Sequence, residues 1–309
     1  MRTTEKELEE LVEIVQNAIR ITEWFKKRGF ESFVKMDKSP VTLADYASQI
    51  YIISKLKHLY PKDSIIAEET YNSKLNLSSE KLILSCYNTL NLSIETEIKD
   101  ILNYRGPNSE RHWSIDPIDG TIGYQEGLSY AIGIGLIENY QKISSVIGVP
   151  NYNSSGIAIF VANKDNGAKA SYGGGPFTKI KVSDQKSIRE SRFCHSLHYD
   201  KPWVLKLALM LGIEKYIQID SMAKFCMVAD SSAEIYVKPM SEDRSFIWDF
   251  LPGDLLVNEA GGKVTDLKGY LPKYINDKCV ISAPGLVISN GKFHEEIIET
   301  IKTNFNLFN

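Results

Sequence analysis

The sequence predicts an α/β protein in two unequal styles: an α+β first half over residues 1–148 and an α/β second half over 149–309. Three observations predict it. The chain opens on two long helical patterns, apolar runs with strand character cluster between residues 113 and 162, and beyond Gly173-Gly174-Gly175-Pro176 short strands and helices alternate to the end.

In chain order, residues 4–28 place Leu8, Leu11, Val12, Val15, Ala18, Ile19 and Thr22 on one helical face, with Thr4 and Glu7 as a capping box and Gly29 as the stop. Thr42 caps a second helix over 43–60, whose buried stripe is Ile50, Ile53, Leu56 and Leu59 and which Pro61 ends. A short strand, 64–67, runs into Glu68-Glu69. Residues 70–110 are polar, with one helix expected around 79–102. A strand at 113–115 ends in Asp116, and 128–138 pairs with 143–149 around an Asn139-Tyr140 turn, extended by 156–162. The triple glycine is a turn, since it lacks the Gly-Lys-Ser/Thr ending of a P-loop. Then follow a strand near 192–196, a helix 201–212, a strand 216–219, a helix 222–230, a strand 234–238, a helix 252–260, a strand pair and a last helix, His294–Thr303. No repeat or low-complexity tract interrupts the pattern.

Composition excludes several classes of function. The 309 residues carry a formal net charge of −3, which gives no electrostatic case for a nucleic-acid polymer as partner. No apolar run approaches the roughly 20 residues that a bilayer requires. Cys86, Cys194, Cys226 and Cys279 share no CxxC spacing, so neither zinc finger nor disulfide scaffold is expected, and buried free thiols are. The polar, charged start of the chain is unlike a signal peptide, and the expectation is a soluble, cytoplasmic protein with no membrane partner.

The informative residues are carboxylates placed where strands end. Glu68 and Glu69 follow one strand, Asp116 and Asp119 another within Asp116-Pro117-Ile118-Asp119-Gly120-Thr121, and Asp249 follows Ile247-Trp248. Sites in α/β sheets collect at the carboxyl ends of strands. Pro117 fixes one φ angle and Gly120 permits a tight bend, so Asp116 and Asp119 can face one point. Converging carboxylates repel one another, and a hard divalent cation removes the conflict; oxygen ligands without His or Cys favour Mg²⁺ over Zn²⁺. Each piece alone has a plainer reading: DPIDG as a turn, Glu68-Glu69 as a solvated pair, Asp45 as an N3 acid facing a helix dipole.

Together the segments resemble the inositol monophosphatase superfamily of Mg²⁺-dependent, lithium-sensitive phosphatases. The match is carried by Ser64-Ile65-Ile66-Ala67-Glu68-Glu69, by Trp113 through Thr121 as WxxDPxDGT, and by Trp248-Asp249-Phe250 through Glu259-Ala260-Gly261-Gly262. Within that superfamily, Ser39-Pro40-Val41-Thr42-Leu43-Ala44-Asp45-Tyr46-Ala47-Ser48-Gln49 and Asp220-Ser221-Met222-Ala223-Lys224-Phe225-Cys226 are most similar to the 3′(2′),5′-bisphosphate nucleotidases. Ala67 replaces the family's usual Gly, Ile122-Gly123-Tyr124 its Lys-Gly-Phe, and Phe250–Asp254 a segment with a small Ala-Ala pair.

The resemblance implies a layered α-β-α-β-α sandwich of the sugar phosphatase type, with the active site between two subdomains. It implies a first Mg²⁺ on Glu68, Asp116 and the carbonyl of Ile118, a second on Asp116, Asp119 and Asp249, and room for a third, weaker one at Glu68. Asp45 and Thr121 would orient and deprotonate the attacking water. Gly120 and Thr121 offer backbone N–H groups to a phosphate. Ser221 and Lys224 are the candidates for ribose or 5′-phosphate contacts, and His195 or His198 for the base. The implied activity removes the 3′(2′)-phosphate of adenosine 3′(2′),5′-bisphosphate, with the sulfated nucleotide as a further substrate, inhibition by Li⁺, and a monomeric state. An inositol phosphate phosphatase (mono- or 1,4-bisphosphate) is the alternative, ahead of a non-catalytic Mg²⁺ or nucleotide sensor.

Overall fold

The structure, a computed structural model, describes residues 4–29, 31–35, 39–72, 75–94, 97–198, 201–240, 246–275, 278–280 and 285–304. Its first helix, α1 (Glu5–Arg28), starts where the sequence places it: Thr4 Oγ1 accepts from the Glu7 N–H, and the Glu7 carboxylate accepts in return from the Thr4 N–H. A two-stranded ribbon, β1 (Ser32–Val34) with β2 (Pro40–Thr42), leads into α2 (Leu43–Leu59). The expected single stripe on α2 is too narrow, because Leu43 through Ser54 are all buried. After β3 (Ser64–Ala67) the one helix expected over 79–102 is two, α3 (Leu77–Leu90) and α4 (Ile98–Leu102). Asn91, at the end of the first, takes the left-handed conformation (φ 55°) that closes a helix.

A seven-stranded sheet carries the next stretch. Its order is β3, β4 (Arg111–Asp119), β5 (Ala131–Glu138), β6 (Gln141–Val149), β7 (Ala158–Asn163), β8 (Gly167–Tyr172) and β9 (Thr178–Ile180), with a five-residue helix α5 (Thr121–Gln125) after β4. Only β3 and β4 run parallel; the rest is an antiparallel meander. The strands β8 and β9 were not among the expected elements. Residue 148 lies inside β6, so this sheet continues from one expected half into the other.

A second sheet has five strands in the order β11 (Lys215–Gln218), β10 (Arg192–His195), β12 (Ile235–Pro239), β16 (Gly285–Ser289) and β13 (Lys263–Asp266). The helices α6 (Pro202–Met210), α7 (Ala223–Ala229), α8 (Leu251–Glu259) and α9 (His294–Thr303) flank it, and β14 (Lys273–Ile275) pairs with β15 (Lys278–Val280) as a small hairpin.

Alternation along the strands sorts the elements into layers. On β7, Ile159 and Val161 join the core under α1 and α2, while Phe160 and Ala162 face α7 and α8. On β12, Tyr236 faces α7 and α8, while Ile235 and Val237 face α6 and α9. The layers therefore read α1/α2, seven-stranded sheet, α7/α8, five-stranded sheet, α6/α9, the α-β-α-β-α sandwich. Two glycines make the central layer fit. A Cβ on Gly135 would lie 2.9 Å from Leu251 Cδ2, and one on Gly133 2.6 Å from Met222 Sδ and 3.4 Å from Pro252 Cγ. The bulk that Leu251 and Pro252 carry in place of two alanines is thus taken up by bare backbone on β5. Cys86, Cys194 and Cys226 are buried free thiols; the side chain of Cys279 lies outside the described residues.

Candidate active site

Every strong candidate from the sequence except the histidines, Ser221 and Lys224 lies at one end of the seven-stranded sheet or at the start of a helix beside it. Because β3 and β4 are parallel, with Ala67 opposite Ile115, both release their next residue, Glu68 and Asp116, at the same end. The β4 strand does not stop at Asp116, as expected, but continues to Asp119. Between these residues its register against β5 slips, Asp116 pairing with Gly133 and Asp119 with Ala131. This bulge turns both carboxylates toward one side. The Ser48 hydroxyl donates to the Pro117 carbonyl (3.1 Å), and the Ile118 N–H donates to Asp116 Oδ1 (3.1 Å), which fixes the bulge from both ends. Asp249 arrives from the opposite layer. It sits in a 3₁₀ turn, Ile247–Asp249, packed against β4 rather than directly at a strand end.

Asp116, Asp119 and Asp249 offer carboxylate oxygens that all lie within 4.8 Å of one another. Such a group could hold a divalent cation. Burial first, then Glu68, Asp119 and Asp249, raise the Asp116 carboxyl well above its ordinary range. Burial pushes Asp249 up to about 7, with Asp119 and Glu68 adding to it and Lys238 opposing. Asp119 is raised by burial as well, against the pull of Lys238 and Lys224 and of the Met222 N–H that donates to Oδ2. Oxygen donors alone, crowded and withdrawn from water, match the preference of Mg²⁺-like ions.

Beside this group stands Asp45. It is the N3 residue of α2 and closes a capping box: Oδ2 accepts from the Thr42 N–H (2.8 Å) and the Thr42 hydroxyl (2.6 Å). The plain reading and the functional one hold together, because the other oxygen, Oδ1, lies 3.3 Å from Thr121 Oγ1. Thr121 Oγ1 is equally 3.3 Å from the Ile118 carbonyl, so its one proton is shared between two acceptors. Burial raises the Asp45 carboxyl to about 6, although the bonds from Thr42 work the other way. Gly120, at φ 90°, makes the bend that starts α5, and a Cβ there would lie 3.2 Å from Ser221 Cβ. Gly120 and Ser221 thus meet across the two halves of the chain.

The substrate-side candidates are more scattered. Ser221 is buried at φ 69°, its Oγ accepting from the Ala223 N–H. Lys224 is buried; its ammonium donates to the Ile219 carbonyl (2.9 Å) and lies over the Tyr236 ring, and burial lowers it to about 8. Its charge acts on Asp119. His195 ends β10, its ring edge-on to Tyr216. His198 bridges two acids, Nδ1 to Asp220 Oδ2 (2.5 Å) and Nε2 to Glu126 Oε2 (3.1 Å); the bond to Asp220 chiefly raises its pKa.

A family model described as "Inositol monophosphatase family" matches residues 5–305. The chain belongs to the inositol monophosphatase family. It is 31% identical to the 3′(2′),5′-bisphosphate nucleotidase of Emericella nidulans, over 93% of this chain and 95% of that one. It is 29% identical to 3′,5′-bisphosphate nucleotidase 2 of Arabidopsis thaliana, over 96% of each. Among solved structures, the IMPase of Thermotoga maritima superposes with a TM-score of 0.72 at 20% identity, covering 98% of this chain and all of that one. Inositol monophosphatase-II of Staphylococcus aureus gives 0.64 at 18%, covering 99% of this chain and all of that one. At those identities the structures share the fold.

The acidic group has further neighbours that the sequence did not assign a role. Lys35 reaches Glu68 and Glu69 from the strand ribbon. Lys238 on β12 is a cation facing Asp119 and Asp249. The buried Gln49 amide holds the Glu69 peptide on both sides, accepting from its N–H (2.8 Å) and donating to its carbonyl (2.7 Å). Gln49 had a signal, since it closes the block that starts at Ser39. Lys35 and Lys238 had none, because their partners are distant in sequence.

Proposed function

We propose that this chain removes the 3′(2′)-phosphate of adenosine 3′(2′),5′-bisphosphate to give AMP and phosphate, with the sulfated nucleotide as a second substrate. The observation that carries hydrolysis is the pairing of Asp45 and Thr121 beside the convergent oxygens of Asp116, Asp119 and Asp249. The choice of a bisphosphate nucleotide is supported by relatives of that activity at about 30% identity over nearly the whole chain.

Glu68, Asp116 and the Ile118 carbonyl would hold a first Mg²⁺, and Asp116, Asp119 and Asp249 would hold a second. When bound, these ions neutralise charge on the phosphoryl oxygens and acidify a neighbouring water. Asp45 takes the proton of the attacking water on Oδ1. Burial raises its carboxyl above the ordinary range, in the direction that makes it a stronger base than an exposed carboxylate. Thr121 places that water: with its proton given to the Ile118 carbonyl, the hydroxyl presents a lone pair beside Asp45. The N–H groups of Gly120 and Thr121 face the phosphate, at the start of α5 where no intrahelical acceptor exists. Ser221, His195 and His198 line the nucleotide end between the 1–148 and 149–309 segments, and Lys224 supports Asp119 electrostatically.

Inhibition by Li⁺, a monomeric state and a cytoplasmic location complete the proposal; the buried thiols of Cys86, Cys194 and Cys226 suit a reducing compartment. Among the described residues, no helix is long and apolar enough to cross a membrane. The test is phosphate release from adenosine 3′,5′-bisphosphate, its 2′,5′ isomer, inositol 1,4-bisphosphate and inositol 1-phosphate, with Mg²⁺ and with or without Li⁺. Higher kcat/KM on either inositol phosphate than on the nucleotides overturns the substrate assignment.

A further inference from the structure

The short helix α5 starts on Thr121 and lies between the two halves of the chain. Two residues hold it to the first half: the Tyr124 hydroxyl donates to the Thr22 carbonyl (2.7 Å), and the Gln125 amide to Ser32 Oγ (2.8 Å). Gly123 turns bare backbone to the second half, where a Cβ would lie 3.8 Å from Asp220 Cβ. Glu126, the residue that closes the helix, is held to the second half by His198.

His198 meets a carboxylate at each ring nitrogen, Asp220 Oδ2 at Nδ1 (2.5 Å) and Glu126 Oε2 at Nε2 (3.1 Å). A neutral imidazole has one N–H and one lone pair, so it satisfies only one of two ionised carboxylates. Both contacts together require the imidazolium. With both nitrogens engaged in this way, the ring edge has nothing left to offer a nucleobase.

The two acids are unequal partners. Asp220 is buried; its Oδ1 also accepts from the N–H groups of Leu197 (3.0 Å) and His198 (3.4 Å), and the Lys224 charge acts on it. The Glu126 side chain is 52% exposed. Among the described residues, these two carboxylates, one beyond β11 and one beyond α5, are the charged groups in contact with the ring. When the ring gives up a proton it keeps its N–H on the buried acid and turns a lone pair to Glu126, so the Glu126 contact is the one that breaks. The other end of α5 has no slack to absorb the change. Thr121 Oγ1 is already 3.3 Å from both Asp45 Oδ1 and the Ile118 carbonyl.

We propose that His198 is a positioning residue: as an imidazolium it locks Glu126, and α5 with it, to Asp220, and so holds Thr121 beside Asp45. The inference rests on the roles given above to Asp45 and Thr121; the first of its two measurements does not depend on them.

The full-length protein, labelled with nitrogen-15 histidine, is titrated with pH by NMR in the presence of Mg²⁺, with His198 assigned from His198→Gln. His198 titrates above the ordinary histidine range in the wild type, and Glu126→Gln lowers its midpoint by about half a pH unit, the worth of a partly exposed ion pair. A midpoint that Glu126→Gln leaves in place overturns the inference. Turnover of adenosine 3′,5′-bisphosphate is then compared well below and well above the wild-type midpoint. Below it, kcat of the wild type exceeds that of Glu126→Gln about threefold at unchanged KM; above it the two agree. A ratio that does not change with pH overturns the inference while leaving the proposed function standing. A wild type that releases no phosphate from any of the substrates overturns the proposed function and the role of Thr121 together, whatever the NMR midpoint.

Discussion

Replacing Asp45 by asparagine is the sharpest test of the proposed chemistry. Asparagine keeps one oxygen, which can stay on the Thr42 N–H now 2.8 Å from Oδ2, so the cap of α2 survives at a cost below about 1 kcal/mol. The amide nitrogen then takes the place of Oδ1, 3.3 Å from Thr121 Oγ1, where a donor replaces an acceptor. The Thr121 proton can go only to the Ile118 carbonyl, and no base remains to receive one from water. Losing a general base costs roughly 10²–10⁴ in rate, or ~3–5 kcal/mol in the barrier. Removing a buried charge whose pKa is raised also relieves repulsion, so the folded state should lose little stability. The expected outcome is a kcat on adenosine 3′,5′-bisphosphate reduced about a hundredfold or more. Mn²⁺ affinity by calorimetry and the Tm should stay close to wild type. A kcat within about threefold of wild type would refute the assignment of Asp45 as base, since that is under 1 kcal/mol.

Three further outcomes follow from the same geometry. Carboxyls raised on folding, such as Asp45 (about 6) and Asp249 (about 7), make the folded state bind more protons than the unfolded one between roughly pH 4 and 7, so stability of the metal-free protein falls as pH rises through that window. Thermal melts in a chelator should therefore give a higher Tm near pH 5.5 than near pH 7.5, and excess Mg²⁺ should shrink the difference; equal Tm values in chelator contradict the electrostatics. Asp249→Asn removes a member of the convergent group and should weaken divalent-ion binding about a hundredfold or more by calorimetry, with activity lost in parallel; unchanged affinity would exclude Asp249 as a ligand. Asp254 is buried and pairs with Lys142 (2.6 Å) and the Tyr274 hydroxyl (2.7 Å), so Asp254→Ala should cost about 2–3 kcal/mol and lower the Tm by roughly 5 °C, while kcat of the folded protein holds; an unchanged Tm would show that the pair does not stabilise the fold.

What could be read from the sequence is what is written locally. Thr4 with Glu7 and Thr42 with Asp45 mark their helix starts within four residues, and the last helix, His294–Thr303, was placed to the residue. The break at Asn91 was missed because a left-handed asparagine looks like any polar residue in a helical run, and β9 because two exposed residues and one half-buried one carry little alternation. The acids could be found as a set because each follows its own strand or turn in a recognisable block. Two of their cations could not: nothing near Lys35 or Lys238 distinguishes them among 36 lysines and arginines, since what selects them is which layer comes to rest against which. The bulge in β4 was hidden for a similar reason, as it exists only relative to β5.

Asp249 comes from the layer opposite Asp116 and Asp119, and this has a consequence for how the molecule reports its own integrity. If Asp249 is a ligand, as proposed above, ion uptake would require the two sheets to be docked through α7 and α8, not merely formed. Partial loosening between the sheets should therefore silence the enzyme while circular dichroism still looks native, which makes ion binding a more sensitive gauge of damage than helix or strand content.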